Sequence, residues 1–185
     1  GVNYSKSESQ FFKIENILKF SKVSELKLKP LRKIEFDSNF SEFNRLIKIK
    51  KDVSDKYFFV TNNGRWTGFV DENILKTVSI KKWERTFVGD FKKSIDSFVS
   101  VSYNDKLWKT IERIEETSDG FLLVLNAADI PLGIIDRSKI GNFVLNKLGF
   151  NLPSEIINKL NFKNYYPLGI ELPRIINSMK QKGDL

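Results

Sequence analysis

The stretch Tyr57-Phe-Phe-Val-Thr through Trp66-Thr-Gly68-Phe-Val-Asp71 has a counterpart 65 residues later, Leu122-Leu-Val-Leu-Asn through Pro131-Leu-Gly133-Ile-Ile-Asp136. A fixed offset within one short chain is the signature of an internal repeat. Laid over itself without a gap, the chain matches residues 23–75 against residues 88–140. Most matched positions keep their apolar character, so the sequence predicts two copies of one small fold that bury the same faces.

The first half of each copy predicts a strand followed by an amphipathic helix. Residues 31–36 and 97–101 carry the β-branched and aromatic residues that favour strands. Apolar residues then recur at three- and four-residue spacing, which places them on one face of a helix. These residues are Phe40, Phe43, Leu46 and Ile47 in the first copy and Leu107, Trp108, Ile111 and Ile114 in the second. Asn39 and Asn104 stand just before the two helices, and we expect each to cap its helix.

The second half of each copy predicts two further strands and a helix. Residues 57–60 and 121–125 are apolar without alternation, which is typical of strands covered on both faces. The next strand ends at Asp71 or Asp136, and a helix begins there. Each copy is therefore predicted as strand, helix, strand, strand, helix in an α/β (α+β) fold. Because one copy alone cannot cover its sheet, we expect the two copies to pack about a pseudo-twofold axis.

The segments outside the copies differ from them in composition. The predicted division is a lead-in segment at 1–22, a first repeat at 23–80, a second repeat at 81–148 and a helical tail at 149–185. The apolar stretch from Phe11 to Phe20 predicts a helix in the lead-in segment. We expect the tail to pack against the repeats or against a partner. The chain starts at Gly1 rather than Met, and we expect it to be a segment of a longer protein.

Missing residue types exclude several classes of enzyme. The 185 residues contain no cysteine and no histidine. Disulfides, thiolate and HExxH zinc sites and a Ser-His-Asp triad are therefore impossible. No pair of carboxylates stands in a recognisable catalytic frame, so we expect no enzymatic activity, no metal site and no cofactor in this segment.

The net charge of +8 suggests either nucleic acid or an anionic membrane surface as a partner. The basic residues are scattered, and Lys81-Lys82-Trp83-Glu84-Arg85 is the only basic run that contains an aromatic residue. No known nucleic-acid-binding motif frames this run, so a solvated face is favoured over nucleic-acid contact. No apolar run approaches the roughly 20 residues that a membrane-spanning helix needs.

The paired strand, turn and strand units resemble the tandem cystathionine-β-synthase (CBS) domain pair, also called a Bateman module. The resemblance includes Gly68 and Gly133 and the leading segments Val23-Ser-Glu-Leu and Val88-Gly-Asp-Phe, and it covers residues 23–148. It implies a cleft between the copies that commonly binds adenosine nucleotides. It also implies that occupancy of the cleft is passed to an attached enzyme, channel or transporter, and that pairs associate as homodimers through helix faces.

A more particular resemblance concerns the attached protein. Residues 133–140, Val23-Ser-Glu-Leu and Tyr166-Pro-Leu-Gly-Ile look like the cytosolic CBS region of some bacterial site-2-type intramembrane zinc metalloproteases. The zinc ligands of that family include histidines, which this chain lacks. The resemblance therefore implies a regulatory tail on the cytoplasmic face of a membrane, with zinc held by an upstream membrane-embedded catalytic domain.

The usual nucleotide-binding residues of the CBS family are missing here. After the glycine, nucleotide-binding copies typically carry two apolar residues, Thr or Ser, two variable residues and Asp. In this chain the hydroxyl position is Asp71 or Asp136, and the carboxylate position is Ile74 or Lys139. A carboxylate that faces a phosphate is repelled by about 1 kcal/mol or more. An adenosine nucleotide bound in the usual way of the family is therefore disfavoured.

Two interpretations of this region stay open. In the first, Asp71 and Asp136 cap the helices that begin after their strands, which suits the positive end of each helix. In the second, a ligand binds here: basic side chains counter its acidic group, a hydroxyl or amide donates a hydrogen bond and an indole stacks on a ring. The candidate ligand-binding residues are Asp71, Asn73, Asp136, Arg137, Ser138, Lys139 and Trp66.

The sequence thus favours a non-catalytic regulatory CBS pair that modulates a membrane-embedded zinc metalloprotease. One alternative is a CBS pair that serves as a dimerisation or interaction module of another membrane protein or enzyme. The other alternative is a nucleic-acid-binding module, which would explain the positive charge.

Overall fold

The computed structural model describes residues 2–50, 53–163 and 165–185, so Gly1 lies outside the described residues. It contains six α-helices and six strands among these residues, with short 3-10 helices between some of them. In chain order they are α1 (Val2–Phe20), β1 (Lys33–Glu35), α2 (Phe40–Ile47), β2 (Tyr57–Asn62), β3 (Arg65–Asp71), β4 (Ser100–Ser102), α3 (Leu107–Glu116), β5 (Phe121–Leu125), β6 (Pro131–Asp136), α4 (Arg137–Lys147), α5 (Ser154–Lys163) and α6 (Leu172–Gln181).

The strands form two three-stranded sheets of the same topology. In the first sheet β1 pairs in parallel with β2, and β2 pairs antiparallel with β3. In the second sheet β4 pairs in parallel with β5, and β5 pairs antiparallel with β6. The last helix of the first copy is a 3-10 helix, Glu72–Thr77, where the second copy has α4. The predicted fold class and the order of elements in each copy are confirmed.

The two sheets pack face to face through a mostly aromatic layer. Tyr57 and Phe98 lie in this layer with their ring centroids 5.0 Å apart. Its buried members come from both copies and are Leu31, Phe59, Phe69, Phe98, Phe121, Leu123 and Ile134. The other face of each sheet packs on helices. In the first copy, Phe58 and Val70 of the sheet lie in one buried cluster with Phe43 of α2. The central strands are therefore covered on both faces, as their continuous apolar runs predict.

The leading segment of each copy crosses to the other copy. The Val23 amide donates to the Asp105 carbonyl at 3.0 Å, and the Val88 amide donates to the Ser38 carbonyl at 2.9 Å. Lys29 then pairs with Ile134 at the edge of the second sheet, and Lys93 pairs with Phe69 at the edge of the first. These reciprocal contacts are the signature of a pseudo-twofold relation between the copies.

A constant offset of 65 residues between the copies is wrong for several elements. Strand pairing makes Ile34 equivalent to Val101, an offset of 67, because these residues oppose Val60 and Val124 on the next strands. Val60 and Val124 differ by only 64 residues. The second copy thus has two extra residues before its helix and a shorter connection after it. Insertions in surface loops cost little, so the paired strands keep their register while the offset drifts.

The shifted register changes two of the predicted helix positions. Asn39 caps α2 by accepting a 2.9 Å hydrogen bond from the Glu42 amide. Asn104 does not cap α3, since Lys106 stands at that position and Asn104 lies in the preceding turn. Leu46 is 43% exposed because it lies at the edge of the buried stripe of α2. The predictions for Asn104 as a cap and for Leu46 as a core residue are wrong.

Terminal helices cover the helical side of the second copy. The predicted helix at Phe11–Phe20 is confirmed as part of α1, whose Leu18 is fully buried against α3. The tail contributes α6, whose buried Leu172, Ile176 and Met179 enter the same cluster. The tail therefore packs against the repeats. Within the described residues, no helix is both long and apolar enough to cross a bilayer.

The environment of the Tyr57 hydroxyl predicts that the packing between the sheets weakens at alkaline pH. This hydroxyl lies 3.3 Å from an oxygen of Asp119 in the other copy, and burial, followed by that carboxylate, raises its pKa from 10.0 to about 12. Folding therefore favours the neutral phenol. The associated stability is fully present below pH 10 and is lost as the pH rises through about 12.

The expected result is a free energy of unfolding that falls more steeply between pH 10 and 12 in the native chain than in Tyr57→Phe. Denaturant titrations across this range measure it. The matched control is Tyr103→Phe, because Tyr103 is 39% exposed. Parallel pH profiles for native chain and Tyr57→Phe would contradict the prediction.

Candidate functional site

A groove of about 490 Å³ separates the first leading segment from the start of α4. The groove is lined by residues 25–30, by side chains of α4 and by Ile157 of α5. Its lining includes the side chains of Lys27, Lys29, Ser138, Lys139, Asn142 and Ile157.

Strand pairing holds the two main lining segments of the groove in place. The Lys29 amide donates to the Ile134 carbonyl at 2.9 Å, and the Ile134 amide donates back to Lys29 at 2.9 Å. This fixes the leading segment along β6, which ends at Asp136. Because α4 begins directly after β6, its first turns face the same leading segment.

Asp136 acts as the cap of α4. Its side chain is 2% exposed and accepts from the Lys139 amide at 2.9 Å and from the Ser138 hydroxyl at 2.7 Å. A carboxylate at the positive end of a helix is stabilised by the orphan amides there. Asp71 occupies the same position in the first copy and accepts from the Asn73 amide at 2.8 Å. The capping interpretation accounts for both aspartates.

Two lysines in the groove form no ion pair, although the groove also contains one acidic side chain, Glu25, which accepts from the Lys22 amide at 2.7 Å. Among the described residues, no acidic side chain pairs with Lys27 or Lys139. Lys29 is different, since its ammonium binds the buried Asp55 carboxylate and donates to Ser54 Oγ at 2.8 Å. The groove can therefore attract an anion through Lys27 and Lys139.

Asn142 adds a second polar feature that sequence reasoning missed. Its side-chain oxygen Oδ1 is buried and has no hydrogen-bond partner in the described structure. A buried acceptor without a donor costs about 1–3 kcal/mol, so a bound ligand that donates to it would recover that energy. Its spacing of three residues from Lys139 on a helix was the available signal, because such residues share a face.

The remaining predicted site residues lie elsewhere. Arg137 turns away from the groove and binds Glu115 at 3.1 Å. Asn73 lies in the first copy, beside Asp71. Trp66 lines a separate groove of about 370 Å³ and packs edge-to-face on Phe59 with their centroids 6.0 Å apart. The structure thus brings Ser138 and Lys139 together, with Asp136 beneath them, and separates these from the other candidates.

Comparison with solved structures identifies the fold. The CBS domain of a bacterial CNNM/CorC family Mg²⁺ transporter in complex with ATP aligns at a TM-score of 0.52 and 10% identity, covering 75% of this chain and 97% of that chain. Another structure of the CBS domain of that transporter family gives 0.51 at 12% identity, covering 79% and 86%. Protein MJ1004 from Methanocaldococcus jannaschii gives 0.51 at 17% identity, covering 68% of this chain.

These likenesses show that the chain has the fold of a CBS domain pair. The chain spans 60% of the length of MJ1004. No protein-family model matches the sequence, and no curated protein matches it.

Proposed function

We propose that this chain is a non-catalytic regulatory CBS pair that binds a small anionic ligand in the groove between residues 25–30 and α4. The observation that carries the proposal is that Lys27 and Lys139, which have no acidic partner among the described residues, line the same groove of about 490 Å³. Opposite charges close to a partly desolvated site attract more strongly than in bulk water.

The polar atoms of the groove define the ligand further. An anionic group suits Lys27 and Lys139, while a hydroxyl or amino group suits the orphaned Asn142 oxygen. Nucleoside phosphates carry both kinds of group, and the similar transporter CBS domain was solved with ATP. A nucleotide bound here would not adopt the usual binding mode of the CBS family. In that mode a carboxylate binds the ribose, and Lys139 occupies the position of that carboxylate.

The walls of the groove provide a route for the signal. Residues 25–30 follow α1 closely in sequence, and Ile157 belongs to the tail. A ligand that contacts both lining segments stabilises one arrangement of the leading segment relative to α4 and α5, which shifts the population toward that arrangement. Both termini of the chain would then report on occupancy.

The attached protein is proposed to be a site-2-type intramembrane zinc metalloprotease, with this chain on the cytoplasmic side of the membrane. The support is the resemblance of residues 133–140 and of the Tyr166-Pro-Leu-Gly-Ile segment to the cytosolic region of such enzymes. A multi-span upstream region bearing HExxH is the partner that this proposal requires. A soluble catalytic core or a channel upstream would contradict the proposed attachment to a protease. It would not bear on the proposed ligand groove.

Calorimetric titration with AMP, ATP and inorganic phosphate tests the groove. We expect at least one of these probes to bind, and Lys27→Ala combined with Lys139→Ala to weaken that binding by at least about 100-fold, since each charge-assisted hydrogen bond is worth about 1.5–3 kcal/mol. The matched control is Lys33→Ala combined with Lys109→Ala, which removes two exposed lysines outside the groove.

Asn142→Leu separates binding from folding. It replaces an unsatisfied buried acceptor with an apolar group of similar size, so stability should hold or rise while affinity for a nucleotide falls. Absence of binding by all three probes, or equal affinity in the native chain and the double lysine variant, would overturn the proposed site.

A further inference from the structure

The helical sides of the two copies are covered differently. In the second copy, α1 and α6 lie over α3. In the first copy, the short 3-10 helix Ile80–Arg85 packs on α2, and its Trp83 joins the buried cluster there. Part of this side is exposed, including Lys48, Lys50 and Lys76.

A broad basic groove lies on this side of the first copy. It has a volume of about 540 Å³, and its lining includes Lys48, Lys50 and Lys76 beside the ring of Trp83. Lys50 donates to Glu72 at 2.6 Å, and this hydrogen bond, with the neighbouring lysines, lowers the pKa of the Glu72 carboxyl. The local field is therefore positive even where one acidic side chain is present.

Exposed aliphatic residues stand among these cations. Ile49, which is 63% exposed, lies between Lys48 and Lys50 in sequence. Ile80 is 74% exposed and immediately precedes Lys81 and Lys82. We call the exposed lysines and isoleucines that line this groove, or lie within three residues of its lining residues in sequence, the basic face; its members are Lys48, Ile49, Lys50, Lys76, Ile80, Lys81 and Lys82.

We infer that the basic face docks on an anionic lipid bilayer. Isolated isoleucines with flanking lysines match the two layers of a membrane surface: the aliphatic tips enter the acyl boundary while the ammonium groups stay among the phosphates. Long lysine stems allow this arrangement, since they can lie along apolar surface with the charge outside. The inference does not depend on the ligand groove.

Two other occupants fit the face less well. In a twofold contact between two chains, both chains use the same surface. The lysines of the basic face in one chain would then lie against those of the other chain. That arrangement is repulsive. Nucleic acid would use the cations but gains little from exposed aliphatic side chains, because bases stack on aromatic rings. The Trp83 indole N–H is already donated to the Val78 carbonyl at 3.0 Å.

Cosedimentation of the chain with lipid vesicles tests the inference. We expect binding to phosphatidylcholine vesicles that contain phosphatidylserine and none to phosphatidylcholine alone. Lys81→Gln combined with Lys82→Gln should lower partitioning about 25-fold, since each cation near an anionic surface contributes about fivefold. Ile80→Ser should lower it about tenfold, because a buried isoleucine side chain is worth at least that factor.

The matched control is Lys33→Gln combined with Lys109→Gln, which makes the same change of charge away from the basic face. This control should bind vesicles about as well as the native chain, because the lysines that it replaces lie outside the basic face. All the altered side chains are exposed, and unchanged thermal unfolding confirms folding. Absence of vesicle binding, equal loss in the control, or binding of RNA or DNA through the same lysines without vesicle binding would each overturn the inference.

Discussion

Replacing Gly68 with alanine is expected to destabilise the chain by about 3–5 kcal/mol. The added Cβ would lie 2.3 Å from the Lys93 carbonyl oxygen, and the Gly68 φ of +155° is one that side-chain-bearing residues rarely adopt. Lys93 cannot retreat, because it exchanges two backbone hydrogen bonds with Phe69, at 2.9 and 2.8 Å. Overpacking and backbone strain each cost about 1–3 kcal/mol.

Chemical denaturation of Gly68→Ala measures this loss. Gly64→Ala is the matched control: its φ is +80°, but nothing lies within 4 Å of the added Cβ, so it should cost only about 1 kcal/mol. Gly133→Ala should lie between the two, since its Cβ would meet the Lys29 carbonyl at 2.8 Å without an unfavourable φ. Similar losses for Gly64→Ala and Gly68→Ala would contradict the close approach of the leading segment.

Removing the ring of Phe98 is expected to loosen the two copies from each other. Phe98 is 7% exposed, and its ring centroid lies 4.4 Å from that of Phe69 in the other copy and 5.7 Å from that of Phe121. Phe98→Ala should lower the free energy of unfolding by about 3–5 kcal/mol, through lost burial and the cavity left between the sheets. Equilibrium denaturation measures the change.

Phe12→Ala is the control for Phe98→Ala, because Phe12 is 63% exposed and should cost less than about 1 kcal/mol. Phe98→Leu refills part of the cavity and should recover roughly half of the loss. If Phe98→Ala and Phe12→Ala were equally stable, the aromatic layer would not be what joins the copies.

The order of elements could be predicted from sequence because it rests on local patterns. The apolar runs at 57–60 and 121–125 must be covered on both faces whatever surrounds them, and Asn39 caps a helix through its own neighbours. Asp136 likewise accepts hydrogen bonds from the Ser138 hydroxyl and the Lys139 amide, two and three residues away. Hydrophobic periodicity and helix capping depend only on residues close in sequence, so both can be recognised from a single sequence.

The exchange of the leading segments, and with it the site, was decided by tertiary structure. No local pattern shows that residues 25–30 pair with β6 across the pseudo-twofold axis, since strand pairing depends on which edges are free after the sheets pack. Lys27 and Lys139 therefore line one groove although more than a hundred residues separate them in sequence. Arg137, one residue from Ser138, points away because Glu115 of α3 attracts it. Sequence determines which elements form and what chemistry they carry, whereas packing alone determines which side chains share a cavity.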